Sequence, residues 1–341
     1  MNAKLYKAIF FAIGVVTLVY MVYATGVEII WLNIKKTGFW FVPVIGSWLI
    51  IYLFNAFAFK TIIQEADLPE THLPFWSVLR VTITGYAINY ITPFVALGGE
   101  PYRIMELKPA LGVNKATSSV LLYSLMHMFS HVLFWLASII LIVVFIPLGT
   151  PMLMGCGVLF VAGITLGSWF LKVYKRGFTV STFRALAKIP LIRKKVQTFA
   201  FEKADMLQEI DHQIRVFYSE RKSGFFISLF WEFIARVVGC TEIYFAAKGI
   251  GLEMTLVESL IISSGSSLFA NLIFFFPMQL GTREGGLALA LKSIGMPAAS
   301  GVLIGLVMRV REIVWIFIGL ILIRIDRKIS PQVVETVLDH D

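Results

Sequence analysis

The feature that most constrains this fold is a series of long segments without charged side chains. Residues 132–148 carry no charge, and Glu28 is the only charged residue in 8–32. A helix of about 20 apolar residues is long enough to cross the hydrocarbon core of a bilayer. The sequence therefore predicts a polytopic membrane protein. Because the first segment lacks a small-residue cleavage site, we interpret it as a retained helix rather than a signal peptide.

Composition leads to the same conclusion. The 341 residues are 58% hydrophobic and 15% charged, which leaves too few polar side chains to cover a water-soluble surface. Cys156 and Cys240 lie inside apolar segments without a nearby Cys or His. They predict neither a disulfide framework nor a zinc site, and we expect both to be small buried hydrophobic groups. The sequence predicts no metal and no cofactor.

The positive charge is concentrated in one linker, residues 172–223. It carries twelve basic and five acidic residues and so most of the net charge of +9. A basic loop between membrane spans is expected in the cytoplasm. No DNA- or RNA-binding motif accompanies it, so we expect no nucleic-acid partner. Apolar residues at helical spacing predict an amphipathic helix, lying either on anionic lipid head groups or on the protein's own cytoplasmic face. These residues are Val196, Phe199, Met206, Ile210, Ile214 and Phe217.

Counting apolar segments from this linker predicts the topology. Six segments have the length and composition of full spans, namely 8–32, 38–59, 118–147, 150–171, 224–248 and 300–324. Two further apolar segments, 74–110 and 258–297, are interrupted. With the linker inside, both termini are cytoplasmic, the first interrupted segment enters from and returns to the cytoplasm, and the second does so from outside. The short connection 33–37 then lies outside, against the positive-inside rule, because it holds Lys35 and Lys36.

We therefore predict an all-α fold with about six transmembrane helices and two oppositely oriented re-entrant hairpins in an inverted repeat. The chain would form one transmembrane domain, 1–341, with halves 1–171 and 224–325. An internal similarity supports the repeat. In each hairpin an Asn precedes a Pro, and a Glu follows seven residues after that Pro, as in Pro93 and Glu100 or Pro277 and Glu284. A helix-ending glycine, Gly112 or Gly295, comes next and leads into a full span.

Broken helices at membrane depth point to a binding site. Irregular backbone leaves N–H and C=O groups unpaired, which is tolerable only where protein, water or a ligand satisfies them. Proline and glycine produce such groups, and the helix N-termini that follow favour an anion such as phosphate. Inverted repeats with discontinuous helices are a recurring transporter architecture.

The candidate substrate-binding residues are the break residues and the ionisable groups around them, because intramembrane charges are costly unless they serve a cavity or pair internally. They are Asn89, Pro93, Gly98, Gly99, Glu100, Arg103, His127, His131, Glu232, Arg236, Asn271, Pro277, Gly281, Arg283, Glu284, Arg309 and Glu312. Glu232 with Arg236 and Arg309 with Glu312 also have the spacing of internal helical pairs. His127 and His131 share one helix face, where we expect polar packing against the cavity rather than metal binding, with proton relay a further option.

The motifs around the two breaks resemble the transmembrane, flippase-like domain of the lysylphosphatidylglycerol synthase family. The matching stretches run from Thr92 to Arg103 and from Pro277 to Gly285, followed by Arg309. The resemblance implies a domain that moves an aminoacylated or otherwise modified phospholipid between leaflets. It also implies that the head group faces Glu100 and Arg103 in the first hairpin and Arg283 and Glu284 in the second.

One departure from that family changes the expected activity. Those synthases carry a soluble aminoacyl-transferase domain after the membrane part, whereas about 17 residues follow the last predicted span here. We therefore expect a lipid transporter and not an enzyme that charges lipids. The basic residues fit a phosphate or phosphodiester, and the acidic residues fit a cationic head group or protons.

Two other functions stay open at this point. The first is a membrane glycosyltransferase that uses a polyprenyl-phosphate lipid, although the large loop lacks a D-x-D pair. The second is an ion-coupled carrier of a small solute, with Glu100 and Glu284 titrating. The resemblance and the lack of eukaryotic targeting signals place the chain in a bacterial cytoplasmic (inner) membrane. The lipid, the direction and energy source of transport and the oligomeric state, a homo-oligomer included, are left open.

Overall fold

The computed structural model describes residues 26–92, 98–146, 148–177, 179–190, 192–272, 282–325 and 329, with scattered positions before residue 26. These ranges form helices joined by short turns, and their one β-type pairing is an isolated bridge between Glu65 and Leu68. The predicted all-α fold is confirmed for this part of the chain. The helices are α1 (Val27–Thr37), α2 (Phe41–Ile63), α3 (Phe75–Ile91), α4 (Gly99–Phe145), α5 (Thr150–Arg176), α6 (Thr179–Leu186), α7 (Arg193–Glu202), α8 (Ala204–Ser219), α9 (Lys222–Gly249), α10 (Leu256–Leu272), α11 (Thr282–Ser293) and α12 (Ala298–Arg324).

Several helical segments have the length and apolar character needed to cross a membrane. Four candidates are Val27–Ile63, Gly99–Phe145, Thr150–Arg176 and Lys222–Gly249. On α5, large apolar side chains such as those of Met154 and Val158 are more than two-thirds exposed, at 68% and 69%. An apolar surface of this kind is unfavourable in water and is expected where lipid covers it. The protein is a multi-pass membrane protein, as predicted, whereas six full spans and two re-entrant hairpins stay a prediction.

The connection near residue 35 differs from the predicted loop. Residues 33–37 are the last residues of α1, and the helix is interrupted instead at Gly38, which has a φ of +55°. Glycine has no Cβ and adopts this conformation readily. Lys35 and Lys36 lie in the last turn of α1, where the partial negative charge of the helix end favours cations. Their position therefore has a local explanation that does not depend on the side of the membrane.

Helices α2 and α9 pack against each other, and an apolar cluster lies at each end of this pair. The first cluster joins Phe59 of α2 and Phe225 of α9 to Val78 of α3. The second joins Val44 of α2 to Ala246 of α9 and to residues of α10, α11 and α12. Because the late residues of α2 meet the early residues of α9, the two helices run antiparallel. Helices α3 and α11, which belong to the predicted hairpins 74–110 and 258–297 and are called arms below, are thus anchored near opposite ends of the same helix pair.

Both predicted helix-ending glycines break the helix where expected. Gly112 interrupts α4 with a φ of +75° and a ψ of 170°, so α4 consists of a short arm and a long helix joined by a kink. Gly295 has a φ of +80° and follows α11. The arm α11 has 12 residues, which at 1.5 Å per residue is roughly 18 Å, well short of the roughly 30 Å hydrocarbon core. A helix of this length cannot cross the bilayer alone.

The basic linker folds back on the protein at α8. Leu207, Ile210, Ile214 and Phe217 form its buried face, and the last three belong to the first apolar cluster. Asp211 on the same helix accepts hydrogen bonds from the backbone N–H groups of the first turn of α6, at 2.7 and 3.1 Å. Of the two positions predicted for the amphipathic helix, α8 takes the one on the protein's own surface. The helix α7 buries no residue, and its Phe199 is 44% exposed.

Candidate functional site

A cavity of about 330 Å³ lies in the middle of the helix assembly. Seven helices contribute to its wall: α2, α3, α4, α9, α10, α11 and α12. On α9 the lining residues fall between Phe225 of one apolar cluster and Ala246 of the other. Among the described residues, its charged and histidine lining residues are His127, His131, Arg236, Glu242, Arg283 and Arg311. The cavity therefore lies between two apolar cores, and charged and polar side chains form part of its wall.

A two-point ion pair in the wall joins α9 to α12. The guanidinium of Arg311 donates to both carboxylate oxygens of Glu242, at 2.7 and 3.1 Å. The indole N–H of Trp48 on α2 donates to the same carboxylate at 2.6 Å, and the Arg311 guanidinium lies 3.9 Å from the Trp48 ring centroid. Arg311 and Glu242 are 1% and 2% exposed. A two-point pair of this kind fixes both side chains, because its geometry matches the guanidinium fork to the carboxylate.

A second network joins α4 to α9. Nδ1 of His127 lies 2.8 Å from Oε2 of Glu232, and the guanidinium of Arg236 lies 3.5 Å from the same oxygen. Arg236 also donates to the Ser130 hydroxyl at 2.7 Å and lies 2.7 Å from Nε2 of His131. The predicted spacing of Glu232 and Arg236 as an internal pair is confirmed. Both histidines line the cavity, so the predicted polar packing is confirmed as well.

The charges near the second break form a chain of pairs between α11 and α12. Arg309 donates to Glu284 at 2.9 Å and to Glu312 at 3.2 Å, and Arg283 pairs with Glu312 on the other side. The predicted pair of Arg309 with Glu312 is thus confirmed. A Cβ at Gly305 would lie 2.8 Å from the side chain of Glu284, so this glycine makes room for the carboxylate. Of these charged residues, Arg283 lines the cavity.

The charges near the first break lie one layer behind the cavity wall. Arg103 is 1% exposed, donates to Glu100 at 3.2 Å and lies between the rings of Tyr86 and Tyr123, 5.1 and 5.3 Å from their centroids. Gly85 leaves space for the guanidinium, since a Cβ there would overlap it. Tyr86 lines the cavity, and its hydroxyl lies 3.2 Å from Nδ1 of His127. Among the described residues, Glu100 and Arg103 are not part of the lining, and Arg103 contacts the lining residue Tyr86.

The described residues of the first break hold α3 and α4 together. The side-chain oxygen of Asn89 accepts a hydrogen bond from the backbone N–H of Gly99 at 2.7 Å, which satisfies one of the free donors at the start of α4. A Cβ at Gly99 would overlap the carbonyl of Gly85, and one at Gly98 would overlap Thr92. Asn89, Gly98 and Gly99 thus act in packing. Pro93, Pro277, Gly281 and the side chain of Asn271 lie outside the described residues.

The predicted site residues therefore fall into two groups. Four of them line the cavity, namely His127, His131, Arg236 and Arg283, and the remaining charged ones pair with each other or with these behind the wall. The structure adds lining residues that are not among the predicted site residues, including Trp48 of α2. These added residues are Trp48, Asn55, Tyr86, Tyr90, Ser263 and Ser266.

Glu242 and Arg311 also line the cavity, and the sequence carries a weak signal for them and for the serines. Glu242 and Arg311 stand out as charges inside apolar segments, and the serines recur at a spacing of three on α10. Among the described residues, no group of three or more His, Cys, Asp or Glu side chains is placed to hold a metal ion. The described lining side chains offer hydrogen bonding and charge pairing.

The fold and the site define a class: an all-α, multi-pass membrane protein with a cavity between its helices to which three arginines contribute. The family model for the Lysylphosphatidylglycerol synthase TM region matches residues 8–320. The chain belongs to this family, which confirms the resemblance carried by the two break motifs. Searches of curated proteins and of solved structures found no match.

Proposed function

We propose that this protein is a membrane lipid transporter of the flippase type. It moves a phospholipid, or a related anionic or modified lipid, between leaflets, and the head group passes through the cavity. The protein is a transporter rather than an enzyme, and it resides in a bacterial cytoplasmic membrane with both termini inside. The two arm pairs, α3 with the start of α4 and α10 with α11, are the re-entrant hairpins of an inverted repeat.

The observation that carries this proposal is the composition of the cavity wall. Residues from both arm pairs face the same cavity: Tyr86 and Tyr90 come from α3, Ser263 from α10 and Arg283 from α11. Since α3 and α11 are anchored at opposite ends of the α2–α9 pair, hairpins that enter from opposite membrane faces would meet at this point. A charged cavity at the meeting point of two broken helices is where transporters bind their substrates.

A second candidate function is an ion-coupled carrier of a small solute. The pair of His127 and Glu232 favours it, because a histidine and a buried carboxylate beside a cavity can exchange a proton during transport. The two functions differ in the cargo, so the same reconstituted protein separates them. Uptake of a soluble compound without lipid transfer would support the carrier.

Lipid transfer in proteoliposomes tests the proposal. A fluorescent phospholipid in one leaflet should become accessible to a quencher on the other side in vesicles that contain the protein, and not in protein-free vesicles. Gly239→Trp should abolish transfer because Gly239 lines the cavity, where a Cβ has ordinary contact, 3.7 Å, with Ile51. The indole would therefore fill space that the head group needs.

Gly157→Trp is the matched control. Gly157 also lies inside a candidate span, but it is exposed and a Cβ there would have no neighbour within 4 Å. This variant should transfer lipid at the wild-type rate. Equal monodispersity and thermal stability of the two variants exclude unfolding as the cause. Wild-type transfer in Gly239→Trp, or no transfer by the wild-type protein, would contradict the proposal.

A further inference from the structure

The buried charges of the site balance overall, but they are not distributed evenly around the cavity. Five arginines and five glutamates form the ion pairs described above. Of the arginines, Arg236, Arg283 and Arg311 line the cavity, whereas of the glutamates only Glu242 does so among the described residues. Glu232 and Glu312 are 0% and 1% exposed and are not part of the lining. They pair with Arg236 and Arg283, respectively. The wall therefore presents positive charge to an occupant.

Two lining groups also retain hydrogen-bonding capacity. Nη1 of Arg311 is buried and has no hydrogen-bond partner among the described residues, although the other two nitrogens of that guanidinium are engaged by Glu242. Nδ1 of His131 is likewise buried without a partner. Buried polar atoms are normally satisfied by protein, water or ligand. An arginine whose fork is oriented by a carboxylate is well suited to present its remaining N–H groups to a phosphate.

The other polar side chains that the described part of the chain contributes to the wall include neutral hydroxyl and amide groups. Ser263, Ser266 and Ser267 on α10 and Asn55 on α2 offer hydroxyl and amide groups. Such groups can bond the hydroxyls of a polyol, but they do not compensate a second positive charge. A cationic amine in this cavity would meet three guanidiniums and one carboxylate that is already engaged by Arg311 and Trp48. Like charges brought together in a low-dielectric site oppose binding.

We infer that the cavity selects an unmodified anionic phospholipid with a hydroxylated head group, and discriminates against the aminoacylated form of the same lipid. Arg236, Arg283 and Arg311 hold the phosphodiester, and the serines of α10 face the polyol. This inference rests on the proposed transport function and adds the head-group class. It favours an anionic over a cationic head group, a choice that the sequence left open.

The first test compares three lipids in proteoliposomes of otherwise identical composition. The fluorescent probes are phosphatidylglycerol, its lysyl ester and phosphatidylcholine. The full-length protein should transfer phosphatidylglycerol at least about tenfold faster than the lysyl ester, the size expected when one charge interaction of roughly 1.4 kcal/mol changes sign. Equal rates, or faster transfer of the lysyl ester, would overturn the inference while the transport function itself stands. No transfer of any lipid would instead overturn the proposed function.

The second test removes one cavity arginine. Arg283→Gln is the mildest choice because its partner Glu312 keeps a second donor in Arg309. In this variant the ratio of the transfer rates of phosphatidylglycerol and the lysyl ester should fall about tenfold. Arg283→Lys, which keeps the charge, should retain most of this preference. Arg184→Gln changes the net charge equally on the exposed surface of α6 and should leave the preference unaltered. An unchanged preference in a folded Arg283→Gln protein would contradict the assignment.

Native mass spectrometry of the purified protein identifies the source of the phosphate group. Protein incubated with phosphatidylglycerol should retain it, and protein incubated with the lysyl ester should retain much less. Inorganic phosphate alone should give no stable adduct, because the lipid chains contribute to retention. Retention of inorganic phosphate without retention of phosphatidylglycerol would assign the cavity to a soluble anion and contradict the lipid inference. This readout does not depend on transport activity.

Discussion

Burial decides which ion pairs contribute to the stability of this protein. Glu242 pairs with Arg311 in a wall where both are at most 2% exposed, whereas Glu253 pairs with Lys248 at 2.6 Å while its own side chain is 90% exposed. Removing one partner of a buried pair leaves an uncompensated charge, but an exposed carboxylate is replaced by water. Distances of 2.7 and 2.6 Å alone would not separate these two pairs.

We predict that Glu242→Gln destabilises the protein by about 3–5 kcal/mol, because Arg311 loses the buried carboxylate to which it donates two hydrogen bonds. Glu253→Gln is the matched control and should leave stability unchanged. Thermal unfolding in detergent, followed by tryptophan fluorescence, measures both. If Glu242→Gln had the same melting temperature as the wild-type protein, the pair would not stabilise the fold.

Pairs within one helix were predictable from the sequence, and pairs between helices were not. Glu232 with Arg236 and Arg309 with Glu312 follow from the 3.6-residue turn. Glu242 and Arg311 are 69 positions apart, so their contact depends on how α9 meets α12. The sequence identified both as intramembrane charges that need a partner, but no local rule chooses the partner. The contact of Trp48 with Glu242, 194 positions along the chain, depends on helix packing for the same reason.

At the scale of helices, glycines set how closely neighbours approach. A Cβ at Gly301 of α12 would lie 2.5 Å from the backbone nitrogen of Ala288 in α11, so the two backbones are in contact there. By contrast, a Cβ at Gly285, also on α11, would have no neighbour within 4 Å. Small residues at such crossings allow the close packing on which helix association in membranes depends.

Gly301→Ala should therefore separate α11 from α12 and cost about 1–3 kcal/mol of stability, as overpacking of a tight contact does. Gly285→Ala should be neutral or slightly stabilising, since alanine favours a helix by up to about 1 kcal/mol over glycine. Melting temperatures of the two purified variants give the comparison. If Gly301→Ala melts no lower than Gly285→Ala, the close approach of these helices is not present.

Helix ends were the best-predicted elements because their signals are local. Gly112 and Gly295 end their arms with positive φ values, and both were predicted from the repeated motif. The linker was predicted less completely, because the periodicity of 196–217 spans two helices, and only α8 buries its apolar face. Periodicity identifies an apolar face, but it does not show whether lipid or protein covers that face.

At the scale of the whole molecule, helices of each half pack against helices of the other half. The arm α3 packs against α12 of the second half, and the arm α10 packs against α4 of the first half. Such reciprocal packing is what an inverted repeat would produce, and it brings Tyr90 of α3 and Arg283 of α11 into the wall of one cavity. The sequence predicted the two similar hairpins, but their mutual position depends on contacts between residues far apart in the chain.

The central claim is that the two hairpins enter the membrane from opposite faces and meet at the cavity. Single-cysteine labelling tests it most directly, because the native Cys156 and Cys240 are buried and should give little background. Glu70 lies at the base of the first hairpin and Glu253 at the base of the second, and both are exposed. In intact cells, Glu253→Cys should react with a membrane-impermeant maleimide, and Glu70→Cys should react only after permeabilisation. Labelling of both positions from the same side would contradict the claim.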